Sequence, residues 1–230
     1  MTNENAFGVT AAPHYRQWEY DLVAPFLGSS VLEIGSGMGH FSEKLVEAGL
    51  DRVVLSDPDE GCREGLRRDY GDRPGIEVTS ITLPGAVSLA EPVESVVAMN
   101  VLEHIEDDAQ ALRDLAAALA PGGRIVLWVP AYMQLYGEFD RKVGHFRRYV
   151  PATIRSAVER AGLHVGYLRR VNFLGGLAWW LAVRRGGARQ PNPRLVWLYD
   201  NIVVPTSRTV EKVVEPPFGQ SIVCVAEVGP

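Results

Sequence analysis

Val31-Leu32-Glu33-Ile34-Gly35-Ser36-Gly37-Met38-Gly39-His40-Phe41 decides the fold of this chain. A short apolar run carries an acid near its end, three glycines follow at alternate positions, and a helical pattern begins. Glycine tolerates positive φ and leaves no Cβ in the way of a ligand. The apolar run reads as a buried parallel strand, and Phe41, Leu45 and Val46 start a helix face. A strand feeding a helix through such a turn is the ligand-binding corner of a doubly wound α/β fold. The spacing is E-x-G-x-G-x-G rather than the dinucleotide fingerprint G-x-G-x-x-G. Glu33 at that point repels a pyrophosphate and suits a cationic ligand, such as an amino group or a sulfonium. A tight strand–helix turn without a ligand is the alternative reading of the same residues.

The pattern alternates on both sides of this corner. Trp18, Leu22 and Val23 give Tyr15–Leu27 helical spacing, and Ser42–Ala48 reads as a helix stopped at Gly49. Arg52–Ser56 is a second strand ending at Asp57, Glu60–Asp69 a helix, and Ile76–Thr79 a third strand. Ser95–Met99 is a fourth strand ending at Asn100. Ile105, Ala109, Leu112, Leu115 and Leu119 then recur at helical intervals until Pro121-Gly122-Gly123 stops them. Arg124–Val129 is a fifth strand, apolar as expected when helices cover both sheet faces. Ala131–Val150 reads as a loop rich in aromatic and basic residues. Pro151–Ala161 reads as a helix and Leu163–Leu168 as a strand. Pro191–Pro193 marks a break, Leu195–Val214 a helix interrupted at Pro205, and Ser221–Val228 a last strand. The alternation argues for α/β.

Composition narrows the function classes. With 230 residues, 47% hydrophobic and 22% charged, the chain fits one sizeable domain. A net charge of −5 disfavours nucleic acid as a partner. Cys62 and Cys224 form no motif and suit a reducing compartment. Met1–Pro13 lacks the apolar core of a signal peptide and reads as a flexible arm, so a cytoplasmic location is expected. Val171–Val183 is too short to span a bilayer. Its Trp179-Trp180 pair, flanked by Arg169-Arg170 and Arg184-Arg185, fits a helix over a substrate pocket or at a dimer contact, with peripheral membrane contact as the alternative. Monomer and homodimer both remain open.

On these residues the chain resembles the class I S-adenosylmethionine (SAM)-dependent methyltransferases. The resemblance implies a mostly parallel, seven-stranded, Rossmann-like sheet with an N-terminal helix and substrate-side helical insertions. The domain would run over 1–230, with an arm at 1–13, a cofactor core at 14–130 and a substrate side at 131–230. Glu33, Gly35, Gly37 and Gly39 would hold the amino-acid end of SAM. Asp57, roughly 20 residues beyond the loop, stands where an α/β nucleotide fold places a ribose-binding acid. Thr79-Ser80-Ile81-Thr82-Leu83 has no carboxylate, which leaves adenine to backbone groups and Ile81. Asn100-Val101-Leu102-Glu103-His104-Ile105 would lie beneath the methionine moiety, with Asn100 and Val101 on the cofactor. The N/D-P-P-Y motif of amino-nucleobase methyltransferases is absent there, which argues against DNA base methylation.

Further motifs resemble a bacterial branch of this family. They are Tyr15-Arg16-x-Trp18, whose Tyr15 and Trp18 join the cofactor-binding candidates, Leu119–Arg124, Val129-Pro130-Ala131, Leu135-Tyr136-Gly137, Asp140, Gly144-His145-Phe146-Arg147-Arg148-Tyr149 and Pro216–Ser221. The likeness runs from Tyr15 to Val228. The G-H-x-R-R-Y loop borders the substrate side of such a fold. His145 is the candidate base, because histidine titrates near neutrality, with Tyr136 and His104 as further catalytic candidates. Arg147 and Arg148, with Arg141 and Lys142 near them, suit a phosphate or carboxylate. Tyr132 and Tyr149 would wall the pocket. The alternative is that the arginines pair with acids of the fold and His145 buttresses the loop. No His, Asp or Glu cluster shows metal-ligand spacing, so catalysis without a metal is expected. The expected activity is methyl transfer to an O, N or C atom of a small, anionic or sugar-bearing acceptor in natural-product or sugar/lipid metabolism, with S-adenosylhomocysteine (SAH) as product. The alternatives are a SAM-binding cyclase or isomerase, a membrane-surface enzyme on a lipid-linked acceptor, and an NAD oxidoreductase, which the glycine spacing argues against.

Overall fold

The computed structural model describes residues 12–184 and 193–229. Seven strands form one sheet: β1 (Ser30–Ile34), β2 (Arg52–Ser56), β3 (Ile76–Thr79), β4 (Val93–Met99), β5 (Leu119–Pro130), β6 (Leu163–Val171) and β7 (Ser221–Val228), in the order β3-β2-β1-β4-β5-β7-β6. Strands β1 to β5 pair in parallel, and β7 runs antiparallel to both β5 and β6. Alternate residues of each strand face opposite sides. Leu32, Val96 and Ile125 therefore enter one core, while Val31, Val97, Val126 and Trp128 enter the other. Strand order reverses between β1 and β4. In a doubly wound sheet that switch point opens a crevice at the carboxyl ends of the strands. Gly35, Asp57, Asn100 and Ala131, which follow β1, β2, β4 and β5, all lie along this edge.

Helices α1 (Pro13–Val23), α2 (Ser42–Glu47), α3 (Glu60–Tyr70), α4 (Asp108–Ala116), α5 (Glu138–Val143), α6 (Pro151–Arg160), α7 (Phe173–Arg184), α8 (Pro193–Leu198) and α9 (Val204–Glu211) complete the described chain. Asp59 and Asp107 cap α3 and α4 by accepting the amides of Cys62 and Gln110, each at 3.0 Å. Helix α1 has a cap from far along the chain. The buried Asp200 carboxylate accepts the amides of His14 at 3.2 Å and Tyr15 at 2.9 Å. A carboxylate there also complements the helix dipole.

Several expectations need correction. The arm expected at 1–13 falls on residues 1–11, outside the described residues, and on Pro13, which opens α1. Helix α4 ends at Ala116, before Pro121-Gly122-Gly123. Leu119 already pairs with Val93, and the register slips before Arg124 meets Ser95, so the Pro-Gly-Gly run lies inside an irregular strand. The segment 131–150 is not all loop. It holds a 3₁₀ turn at Met133–Leu135 and α5, whose end at Gly144 takes φ +84°. The break before α9 lies in a π-helical turn, Tyr199–Val203, upstream of Pro205. Proline lacks the amide and crowds the carbonyl four residues back, so the disturbance falls on the preceding turn. Of the break expected at Pro191–Pro193, residues 191 and 192 lie outside the described residues, and Pro193 begins α8. Among the described residues no helix is long and apolar enough to cross a membrane.

Candidate active site

The glycine turn after β1 takes left-handed backbone at Gly35, Gly37 and Gly39, with φ of +69°, +53° and +80°. A Cβ on Gly35 would lie 2.7 Å from Cγ2 of Val101, so the turn after β1 touches the turn after β4. Glu33 is 2% exposed, and its Oε2 accepts the hydroxyls of Ser36 at 2.9 Å and Ser42 at 2.5 Å. Sequence reasoning assigned Glu33 to the ligand and missed both serines. Through these bonds Glu33 braces the turn, and S-x-x-x-x-x-S after the acid was the available signal. The buried Asp57 carboxylate accepts the amide of Gly37 through Oδ2 and that of Asp59 through Oδ1, both at 2.9 Å. Asn100 takes φ +53°, donates its amide to the Trp128 carbonyl at 2.8 Å and is exposed at the strand edge. Val101 is half-buried beside it.

Other cofactor candidates sit deeper. Trp18 and Ile81 are core residues, and Tyr15 lies edge-on to Trp128 at 6.3 Å and to Trp18 at 6.4 Å. Burial pushes the Tyr15 phenol well above its usual range, helped by the neighbouring Glu19.

On the acceptor side the loops after β4 and β5 meet. The Phe146 amide donates to the Glu103 carbonyl at 2.9 Å. Nδ1 of His145 lies 2.7 Å from Oδ1 of Asp140, and its Nε2 lies 3.9 Å from Oε1 of Glu103. The His104 ring stands edge-on to the His145 ring, with centroids 4.6 Å apart. Asp140 is 0% exposed. Burial pushes its carboxyl upward, but hydrogen bonds from His145 and Arg148 outweigh this and hold it below the usual range. Glu103 is also 0% exposed, and burial lifts its carboxyl to about 8. Among the described residues neither Glu103 oxygen has a hydrogen-bond partner. Burial and the adjacent His145 lower His104 to about 4.

The G-H-x-R-R-Y residues expected to bind substrate have partners within the fold, as the alternative reading of the motif has it. Arg148 forms a two-point pair with Asp140, at 2.8 Å and 3.1 Å, and is buried. Arg147 bonds Asp108 at 2.8 Å and the Glu106 carbonyl at 2.7 Å. Tyr149 is buried with its hydroxyl 3.1 Å from Asp108. Burial and Asp108 raise its pKa. The Tyr136 hydroxyl donates to the His145 carbonyl at 2.7 Å, so it braces the loop. Desolvated cations need partners, and the fold's own acids supply them. Tyr132 remains half-buried, edge-on to Phe218 at 6.3 Å. Trp179 of α7 donates to the Leu135 carbonyl at 2.9 Å, so α7 packs on the segment after β5. The fold also brings together three residues that the sequence spacing did not. Glu103, His104 and His145 bring their ligand atoms within 4.8 Å of one another. A spacing rule misses them because two separate loops supply them.

The family described as "Methyltransferase domain" matches residues 13–167, more than half of the chain. The chain belongs to that family. A ubiquinone biosynthesis O-methyltransferase from Bordetella avium (strain 197N) is 29% identical over 175 residues, covering 68% of this chain and 71% of that protein. A tRNA U34 carboxymethyltransferase from Alteromonas mediterranea is 28% identical over 124 residues, covering 48% of this chain but only 36% of that protein. In fold, the chain is similar to a SAM-dependent methyltransferase from Mesorhizobium loti, with a TM-score of 0.61, 16% identity, and coverage of 91% of this chain and 97% of that one. The cofactor of this methyltransferase family is SAM. The cradle fits it, since left-handed Gly37 is half-buried at the strand edge and the Asp57 carboxylate lies against its amide.

Proposed function

We propose that this methyltransferase moves a methyl group from SAM to an oxygen atom of a small molecule. The hydrogen bond from Gly37 to Asp57 carries the reading, because it brings the glycine turn and the ribose-type acid together at the switch point. Bound SAM supplies a methyl group already activated by a positively charged sulfur. The protein then has to align and to exclude water, and alignment alone lowers such barriers by about 7–11 kcal/mol. Asp57 would accept the ribose hydroxyls. Glu33, through Ser36 and Ser42, would keep the turn open for the methionine end. Asn100 and Val101 would line its floor.

His145 would face the acceptor. Asp140 at Nδ1 sets the tautomer that leaves Nε2 free to take a hydroxyl proton in the metal-free protein. Oxygen is favoured over nitrogen or carbon by this fixed base and by the O-methyltransferase relative. An anionic acceptor loses its support, since Arg147 and Arg148 are already paired.

The test is incubation with methyl-labelled SAM and fractionated small-molecule extracts, following both label and SAH. Label in an acceptor with matching SAH release is expected. Tight SAM binding with no label in any fraction would sink methyl transfer, and substrate conversion without SAH release would point to a cyclase or isomerase.

A further inference from the structure

We propose that Glu103, His104 and His145 form a binding site for a first-row divalent cation of the zinc type, with Asp140 holding the far nitrogen of His145. The inference concerns the acceptor side of the site proposed above, and it stands or falls separately from methyl transfer.

Four observations carry it. The candidate ligand atoms lie within 4.8 Å of one another. Donors about 2.0–2.2 Å from a tetrahedral cation stand roughly 3.3–3.6 Å apart, so small side-chain shifts close the site. Second, Oε1 of Glu103 and Nε2 of His145 are 3.9 Å apart. That is too long for a hydrogen bond and close to the separation of two donors sharing one ion. Third, the Glu103 carboxylate is 0% exposed and has no hydrogen-bond partner among the described residues. A buried carboxyl group without a hydrogen-bond partner is costly, and a cation would satisfy its oxygens as the group releases its proton. Fourth, Asp140 accepts at Nδ1 of His145 at 2.7 Å. This carboxylate–histidine arrangement is what orients metal-bound imidazoles.

The donor set selects the ion. Two imidazoles and one carboxylate suit zinc, cobalt, iron or manganese, whereas magnesium and calcium prefer all-oxygen shells. Three protein ligands leave a fourth position open, the pattern of reactive rather than purely structural zinc sites. The ligand loops are held before any ion arrives. Glu103 and His104 sit in the 3₁₀ turn Leu102–His104, and the Phe146 amide ties that turn to the His145 loop. His104 is half-buried, and Gly144 and Phe146 are exposed beside it, which gives an ion a way in. In the loaded protein Nε2 of His145 is a ligand, and its service as a base is confined to the metal-free form.

The experiment uses the full chain, stripped with a chelator and titrated with Co²⁺ and Zn²⁺. One equivalent of Co²⁺ should give visible d–d absorption that Zn²⁺ abolishes. Zn²⁺ should bind with one-to-one stoichiometry by calorimetry and raise the melting temperature. Glu103→Gln and His104→Ala should each weaken Zn²⁺ at least tenfold, and Asp140→Asn about 10–100-fold. His164→Gln, in an exposed pair with Glu227, should bind as the parent does. SAH titration of each variant checks that the cofactor side is intact. No Co²⁺ spectrum, or Zn²⁺ affinity unchanged in both Glu103→Gln and His104→Ala, would overturn the proposal while leaving the SAM site standing. Lost SAH binding with metal binding retained would do the reverse.

Discussion

The amide of Gly37 donates to Oδ2 of Asp57 at 2.9 Å, which ties the turn after β1 to the end of β2. The other oxygen of Asp57 accepts the Asp59 amide at the same distance. One carboxylate therefore shapes the glycine turn, starts the connection to α3 and keeps lone pairs for a ligand. Asp57→Ala should weaken SAH tenfold or more, about 1.4 kcal/mol, by calorimetry on folded protein. Asp57→Asn keeps one acceptor oxygen and should fall between parent and alanine variant. Equal affinity for all three proteins would remove the ribose role.

Gly35 is constrained twice. Its φ of +69° disfavours any side chain, and a Cβ would lie 2.7 Å from Cγ2 of the stiff, β-branched Val101. Gly35→Ala should lose about 2–4 kcal/mol in urea unfolding, of which about 1–2 is backbone strain. Adding Val101→Ala should recover the contact part and leave the strain. Full recovery would mean that backbone conformation costs nothing there, and no recovery would mean that the clash is not with Val101.

The readable parts of this chain are those set by nearby residues. Strands β2 and β3 fall at the expected boundaries, β2 because a buried parallel strand is an apolar run between turn residues and β3, a half-exposed edge strand, because Ile76 and Val78 alternate with polar residues. Gly35, Asp57 and Asn100 could be placed along one edge because each follows a strand directly, whereas the candidates Tyr15 and Trp18 lie in α1. The substrate side was not legible in this way. Helix α5 has six residues and no long apolar period, and it depends on Asp140, whose partners His145 and Arg148 come from the next loop. Nothing near Asp200 marks it as the cap of a helix that begins at Pro13. The basic residues of G-H-x-R-R-Y looked like an anion site because their acids, Asp108 and Asp140, lie outside the motif.

Asp108 shows what those arginines do instead. Its buried carboxylate accepts Arg147 at 2.8 Å, Arg160 at 2.9 Å and Tyr149 at 3.1 Å. Removing a buried hydrogen-bonded carboxylate whose partners keep contact with solvent, as Arg147 at 28% and Arg160 at 57% exposed do, costs about 1–3 kcal/mol. Asp108→Ala should lose that order of stability, and Tyr149→Phe about 1 kcal/mol. Arg147→Ala should lower the melting temperature and leave acceptor KM unchanged. A raised KM with unchanged melting would return Arg147 to the substrate.

Glu19 makes the fold sensitive to alkali. Burial in α1 lifts its carboxyl to about 8, against the Tyr15 hydrogen bond and the Arg16 charge, which pull it down. Unfolding returns the group to its ordinary value of 4.5. Between these values the folded chain holds a proton that the unfolded chain has released. Stability from this group is therefore complete below the lower value, falls as pH rises through the window, and is level above it. The slope inside the window approaches about 1.4 kcal/mol per pH unit for one proton. Other buried carboxyls, such as Glu211, bend the curve the same way, so the informative quantity is the difference between parent and Glu19→Gln. Urea unfolding from about pH 5 to pH 9 should show Glu19→Gln gaining on the parent as pH rises. A constant difference across that range would show that Glu19 is ionised in the folded protein throughout, with Arg16 and Tyr15 holding its charge.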